Sequence, residues 1–172
     1  MSSTNQFDTS SQLSLILDIL GHYKVSKREE ILELGSGDSP IMELLCGEGY
    51  RISGVDFDKL IVSARDDVIY ADIRHLEDYV GQGVYRIMTG LSILSIEAQM
   101  GLTLWGTKKR IDGMLKGIHS ALPQGGLFFN IEFPAEAIGY SQRKANDLDF
   151  KVLQYQSKPF EKGFNYTVLQ KI

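Results

Sequence analysis

Ile31-Leu32-Glu33-Leu34-Gly35-Ser36-Gly37-Asp38-Ser39-Pro40 changes character midway, from a short apolar run to glycines, small polar residues and a proline. The first four residues read as a buried strand that runs into Gly35. Ser39 followed by Pro40 is a helix start, a capping hydroxyl and then proline in the first turn. The helix that follows, residues 40 to 47, presents Ile41, Leu44 and Leu45 on one side. Strand, glycine turn and helix N-terminus thus follow one another directly. Glycines let the backbone turn tightly and approach a ligand closely, and helix N-terminal amides stand nearby.

Upstream, Leu13, Ile16, Leu17 and Leu20 recur at helical spacing and stop at Gly21. Residues 1 to 10 read as a flexible tail, which leaves residues 11 to 172 as a single domain. Downstream, residues 50 to 55 form a second strand closing on Asp56, and residues 60 to 65 allow only a short helix. Residues 68 to 71 form a third strand closing on Asp72, and residues 84 to 88 a fourth, ending near Thr89-Gly90. Residues 91 to 100 read as a loop and a helix. Ile111, Met114, Leu115, Ile118 and Leu122 mark an amphipathic helix. A continuous apolar strand covers residues 127 to 133, residues 134 to 146 read as helical, and late strands occupy residues 150 to 156 and 164 to 171.

Alternating strands and helices predict an α/β fold, a doubly wound, Rossmann-like, mostly parallel sheet of seven strands. The last two strands are joined by residues 157 to 163, with no room for a crossover helix, so they pair as an antiparallel hairpin. Open sheets of this kind bind ligands at the carboxyl ends of their strands, where the strand order reverses. The residues to weigh are therefore Glu33 to Gly37, Asp56, which lies 19 residues after Gly37, and Asp72. Asp56 is placed to accept hydrogen bonds from a ribose diol, and Asp72 to meet a purine amino group. A strand-end aspartate is also a common turn or helix-cap residue, and Asp72 fits both descriptions.

Together these features resemble the class I S-adenosylmethionine-dependent methyltransferases, over about residues 30 to 133. E-L-G-S-G-D-S-P is similar to the family's first motif, and the resemblance implies that Glu33, Gly35, Ser36 and Gly37 surround the amino acid portion of the cofactor. G-V-D-F-D resembles the second, which implies Asp56 on the ribose and Phe57 beside the adenine. Y-A-D-I resembles the third, which implies Asp72 and the Ile73 backbone facing the adenine ring. L-P-Q-G-G-L-F-F-N-I is similar to the turn before the fifth strand: Pro123 stops the helix and Gly125-Gly126 reverse the chain. The third glycine of the usual motif is Ser39 here. The fourth strand ends T-G-L-S, unlike members that methylate exocyclic amines of bases or glutamine side chains.

The resemblance implies S-adenosylmethionine as cofactor and methyl transfer; the acceptor, which a fold resemblance does not name, is expected to be a small molecule, and no metal is expected. Thr89 is a candidate for the cofactor or acceptor side; Ser92, Glu132 and His75 are acceptor-side candidates, His75 reading better as an exposed loop residue. No catalytic residue is assigned, since placement of an already nucleophilic acceptor can supply much of the acceleration. The N-terminal helix would lie near the cofactor edge as a lid. His119 reads as a boundary residue. Trp105 with Lys108-Lys109-Arg110 is a possible RNA contact, but a solvated helix face is the better reading. Gly113 and Gly117 weaken their helix by about 1 kcal/mol each relative to alanine, and close packing on the sheet would explain them.

A nicotinamide-dependent oxidoreductase is the alternative for a glycine-rich turn, but the final glycine of that pattern is Pro40 here. A non-catalytic member of the fold, serving as a binding or scaffold subunit, is the other. At 172 residues, with 43% hydrophobic and 23% charged content, the chain suits one domain with a real core. A net charge of −4 gives no general attraction to nucleic acid or anionic membrane. Cys46 is the sole cysteine, which excludes an intrachain disulfide. The polar first ten residues lack the regions of a signal peptide, and no apolar run approaches the ~20 residues of a membrane span. The expectation is a cytoplasmic monomer or homodimer with no membrane partner. Asn165-Tyr166-Thr167 matches a glycosylation sequon by chance, within a strand.

Overall fold

The computed structural model describes residues 9–37, 40–91, 104–132, 143–156 and 165–172. Helix α1 is Thr9–His22, followed by strand β1 (Glu30–Leu34), α2 (Ile41–Gly47), β2 (Arg51–Asp56), α3 (Lys59–Ser63) and β3 (Val68–Tyr70). A single 3-10 turn at Ile73–His75 leads into α4 (Leu76–Val80) and β4 (Ile87–Leu91). The long helix α5 (Leu104–Ala121), β5 (Leu127–Glu132), β6 (Phe150–Gln156) and β7 (Asn165–Lys171) complete the order.

The seven strands form one sheet in the order β3-β2-β1-β4-β5-β7-β6. β1 pairs in parallel with β2 and β4, as do β2 with β3 and β4 with β5. β7 runs antiparallel between β5 and β6, so the expected hairpin is present and its second strand lies inside the sheet. Side chains alternate across a strand, and successive residues of β1, β4 and β5 enter two separate apolar clusters. Leu32, Met88 and Phe128 pack with Leu76 and Val80 of α4 and Ile111, Leu115 and Ile118 of α5. Ile31, Ile87 and Phe129 pack with Ile16 and Leu20 of α1 and Ile41 and Leu45 of α2. Each fully buried leucine, isoleucine or phenylalanine contributes roughly 1.5–3 kcal/mol.

Several sequence readings change. In α2, Pro40 is the N-cap rather than a first-turn residue, and Leu44 is exposed while Met42 joins Ile41 and Leu45 in the core. Thr9 and Ser10 belong to α1, not to a tail. Leu15, Ile16, Ile19 and Leu20 of that helix are buried beneath it, so it is a core helix and not a lid. β4 begins three residues later than expected, because Val84 is 59% exposed and the apolar ladder starts at Ile87. Gly113 and Gly117 do approach a neighbour closely, but that neighbour is the 3-10 turn. A Cβ on Gly117 would lie 2.0 Å from the Ile73 carbonyl oxygen. Ser39, most of residues 91 to 100 and most of residues 134 to 146 lie outside the described residues; residues 143–146 are helical. Thr167 of the sequon is buried in the β5–β7 ladder.

Candidate functional site

Strand order reverses at β1, which has β2 on one side and β4 on the other, and the glycine turn leaves the sheet at that point. Gly35 and Gly37 hold φ of +66° and +49°, a left-handed backbone that glycine adopts without steric cost. The turn is fastened to β2 rather than left free. The amides of Gly35 and Ser36 donate to the Val55 carbonyl at 2.8 and 3.1 Å. The Gly37 amide donates to Oδ2 of Asp56 at 2.8 Å, and the Asp58 amide to Oδ1 at 2.8 Å. Asp56 is 6% exposed, and each oxygen still has a lone pair beyond the one occupied. Its backbone carbonyl accepts from Ala71, which ties the third strand end to the second.

Beneath the turn lies a group of buried polar side chains. Glu33 pairs in register with Gly54 on one side and Thr89 on the other. Gly54 is required there, because a Cβ would meet Oγ of Ser36 at 2.7 Å and Sδ of Met42 at 2.8 Å. Glu33, Ser36 and Thr89 are each no more than 2% exposed, and Oε2, Oγ and Oγ1 respectively have no hydrogen-bond partner. Burial pushes the Glu33 carboxyl up to about 8; the field of Arg65 opposes this without overcoming it. Unpaired buried polar atoms are costly, and three of the described ones lie on Glu33, its register partner Thr89 and Ser36 of the turn.

The remaining candidates divide. Asp72 caps the 3-10 turn, accepting from the Arg74 amide at 3.0 Å, and pairs with the Arg74 guanidinium. That hydrogen-bonded ion pair holds its carboxyl below the usual carboxylate range. Ile73 is half-buried against the α5 side of the core, with its carbonyl facing Gly117. Phe57 is 69% exposed beside Asp56, and Leu60 on the five-residue α3 is 80% exposed, so the β2–β3 side of the turn is open. His75 is exposed, as read from the sequence; His119 stands edge-on to Phe150. Ser92 and the side chains of Trp105, Lys108 and Glu132 lie outside the described residues.

Asn130 and Thr167, paired across β5 and β7, are buried with Oδ1 and Oγ1 unpartnered, and sequence reasoning passed them over. The run of apolar residues around them conceals a polar pair. No described group of histidine, cysteine and acidic residues could hold a metal ion, and no described helix is long and apolar enough to cross a membrane.

No protein-family model matches the chain, and no curated protein matches it in sequence. Solved structures do match in fold. The glycopeptide N-methyltransferase MtfA in complex with S-adenosylmethionine superposes at a TM-score of 0.73, with 13% identity over 100% of both chains. A TehB-like S-adenosylmethionine-dependent methyltransferase from Corynebacterium glutamicum gives 0.67, with 18% identity over 98% of this chain and 90% of that one. A magnesium protoporphyrin IX methyltransferase from Synechocystis with bound S-adenosylmethionine gives 0.64, with 11% identity over 94% of this chain and 79% of that one. The chain has the fold of the class I S-adenosylmethionine-dependent methyltransferases.

Proposed function

We propose that this protein is an S-adenosylmethionine-dependent methyltransferase acting on a small-molecule acceptor. The observation that carries the reading is the Gly35–Gly37 turn locked onto Asp56 at the point where strand order reverses. The residues present fit the cofactor. A Cβ on Gly37 would meet no described atom within 4 Å, and three orphaned polar atoms lie on residues beside the turn. Gly35, Ser36 and Gly37 would hold the amino acid portion beside Glu33 and Thr89. Asp56 would take the ribose hydroxyls on its free lone pairs, with Phe57, Ile73 and Asp72 around the adenine. The two apolar clusters on alternate strand positions support a doubly wound sheet in one domain.

When bound, S-adenosylmethionine supplies an electrophilic methyl group on a sulfonium. The chain's part is to hold the acceptor in line and exclude water, and such placement contributes several kcal/mol on its own. Asp72, already occupied by Arg74, serves the adenine edge by fixing the turn that carries Ile73.

Calorimetric titration tests the reading: micromolar-range binding of S-adenosylmethionine and none of NAD is expected. Absence of S-adenosylmethionine binding at high concentration would overturn it. Asp56→Ala removes a charged hydrogen-bond acceptor worth about 1.5–3 kcal/mol and should weaken binding roughly 10- to 100-fold. Unchanged affinity would mean that the ribose lies elsewhere. Turnover with a panel of small acceptors then separates an enzyme from a binding protein of the same fold.

A further inference from the structure

Glu33 is the most deeply buried acid among the described residues. It is 1% exposed, it sits between the glycine of one neighbouring strand and the hydroxyl of the other, and its Oε2 has no partner. Two more orphaned hydroxyls are near in register: that of Thr89, the partner of Glu33 on β4, and that of Ser36, which stands against Gly54, the partner of Glu33 on β2. A carboxylate left there without a close counter-charge would be costly, and no described charged group forms a hydrogen bond or ion pair with its Oε2. Arg65, beyond the end of α3, is held by Asp67 through bonds of 3.0 and 2.9 Å, and its charge is felt by Glu43 of α2 and by Glu33 itself, but it makes no hydrogen bond to Glu33 among the described residues. Asp56, two residues beyond Gly54 on β2, is a like charge fixed by two amides. β4 contributes the uncharged Thr89. On α1, Asp18 is exposed, and Asp38 lies outside the described residues.

We propose that ligand binding at this site is proton-linked: Glu33 carries its proton in the free protein and releases it to solvent when the ammonium group of the zwitterionic amino acid end of S-adenosylmethionine arrives. The inference rests on the cofactor reading above. A carboxylic acid and a cationic ligand become a carboxylate–ammonium ion pair and one proton in solution. The O–H bond of Glu33 is the only bond broken. An arriving ammonium is a donor that the three orphaned oxygens lack, and it adds, at hydrogen-bonding distance, to the positive field that Arg65 alone supplies too weakly to offset burial. Burial of the carboxyl, which raises its affinity for a proton, agrees with this arrangement.

The test is titration calorimetry of the wild-type protein with S-adenosylmethionine at pH 6.5, in phosphate and in Tris, whose ionisation enthalpies differ. The expected release approaches about one proton per ligand bound, and Kd tightens by up to about tenfold per pH unit between pH ~5 and ~8. In Glu33→Gln the release and the pH slope both vanish. 5′-Methylthioadenosine, which has the nucleoside but no ammonium, is expected to bind without release. Binding of S-adenosylmethionine with no proton released overturns the proposal and leaves the cofactor reading standing. An equal release with 5′-methylthioadenosine, or an unchanged slope in Glu33→Gln, overturns it as well. Failure of S-adenosylmethionine to bind at all removes the cofactor reading itself.

Discussion

Gly117→Ala is expected to destabilise the protein by about 3 kcal/mol, although alanine is the better helix former by about 1 kcal/mol. The added methyl would sit 2.0 Å from the Ile73 carbonyl oxygen, 2.8 Å from the Arg74 carbonyl carbon and 3.0 Å from its Cα. All three are backbone atoms, so relief requires α5 and the 3-10 turn to separate. One turn earlier the expected sign reverses. A methyl on Gly113 would meet only the Arg74 side chain, at 3.3 Å from Cγ and 3.4 Å from Cδ. Those side-chain atoms need give way only slightly, which leaves the Arg74–Asp72 pair in place, so Gly113→Ala should fall between neutral and about 1 kcal/mol more stable. Urea unfolding of the two variants measures the contrast. A neutral Gly117→Ala would show that helix and turn are not in contact. Because the turn carries Asp72 and Ile73, Gly117→Ala should also weaken S-adenosylmethionine binding, whereas Gly113→Ala should not.

The second large effect is the pH dependence of stability. Glu33 has an ordinary carboxyl value of 4.5 when the chain is unfolded and about 8 when folded. Below pH 4.5 it is protonated in both states and adds no slope. Between 4.5 and 8 the unfolded chain has lost the proton and the folded chain retains it, so stability falls as pH rises. The slope is up to about 1.4 kcal/mol per pH unit, or about 4 kcal/mol over the interval. Above about 8 both states are ionised and the slope disappears. Glu33→Gln, a neutral isostere, should match the wild type near pH 5 and exceed it by several kcal/mol at pH 8. Denaturant unfolding across this range checks the prediction, and parallel profiles for the two proteins would refute it.

Much of the fold was legible because it depends on local signals. Glycine turns and strand-end acids mark where β1, β2 and β3 finish, and the short connection of residues 157 to 163 predicts antiparallel pairing of β6 and β7, which the structure bears out. What the sequence concealed depends on tertiary contact. Gly90 reads as the end of a strand, yet it lies inside β4, paired with Leu34 and Asn130. Gly113 and Gly117 signal a close approach without saying what approaches. Among site residues, the motifs place Gly37 and Asp56 at neighbouring strand ends, but the hydrogen bond that joins them is seen only in the structure. The capture of Asp72 by Arg74, two residues on, requires the 3-10 turn that brings them together. Likewise, the acid of E-L-G-S-G is visible in the sequence, but its lack of a partner is not. That depends on Gly54, Thr89 and Arg65, which come from three other parts of the chain.

The two outermost strands have a bearing on how this protein behaves in a crowded solution. An open sheet ends in two rows of unpaired backbone groups, and long flat edges invite another chain to add a strand. Here one edge, β3, is only three residues long. The other, β6, breaks register between Val152 and Gln154, and Lys151 beside the break is exposed. Such an interruption twists a strand away from regular pairing. Neither border offers a long regular template for edge-to-edge growth, and the strand that could best have served as one, β7, is enclosed between β5 and β6.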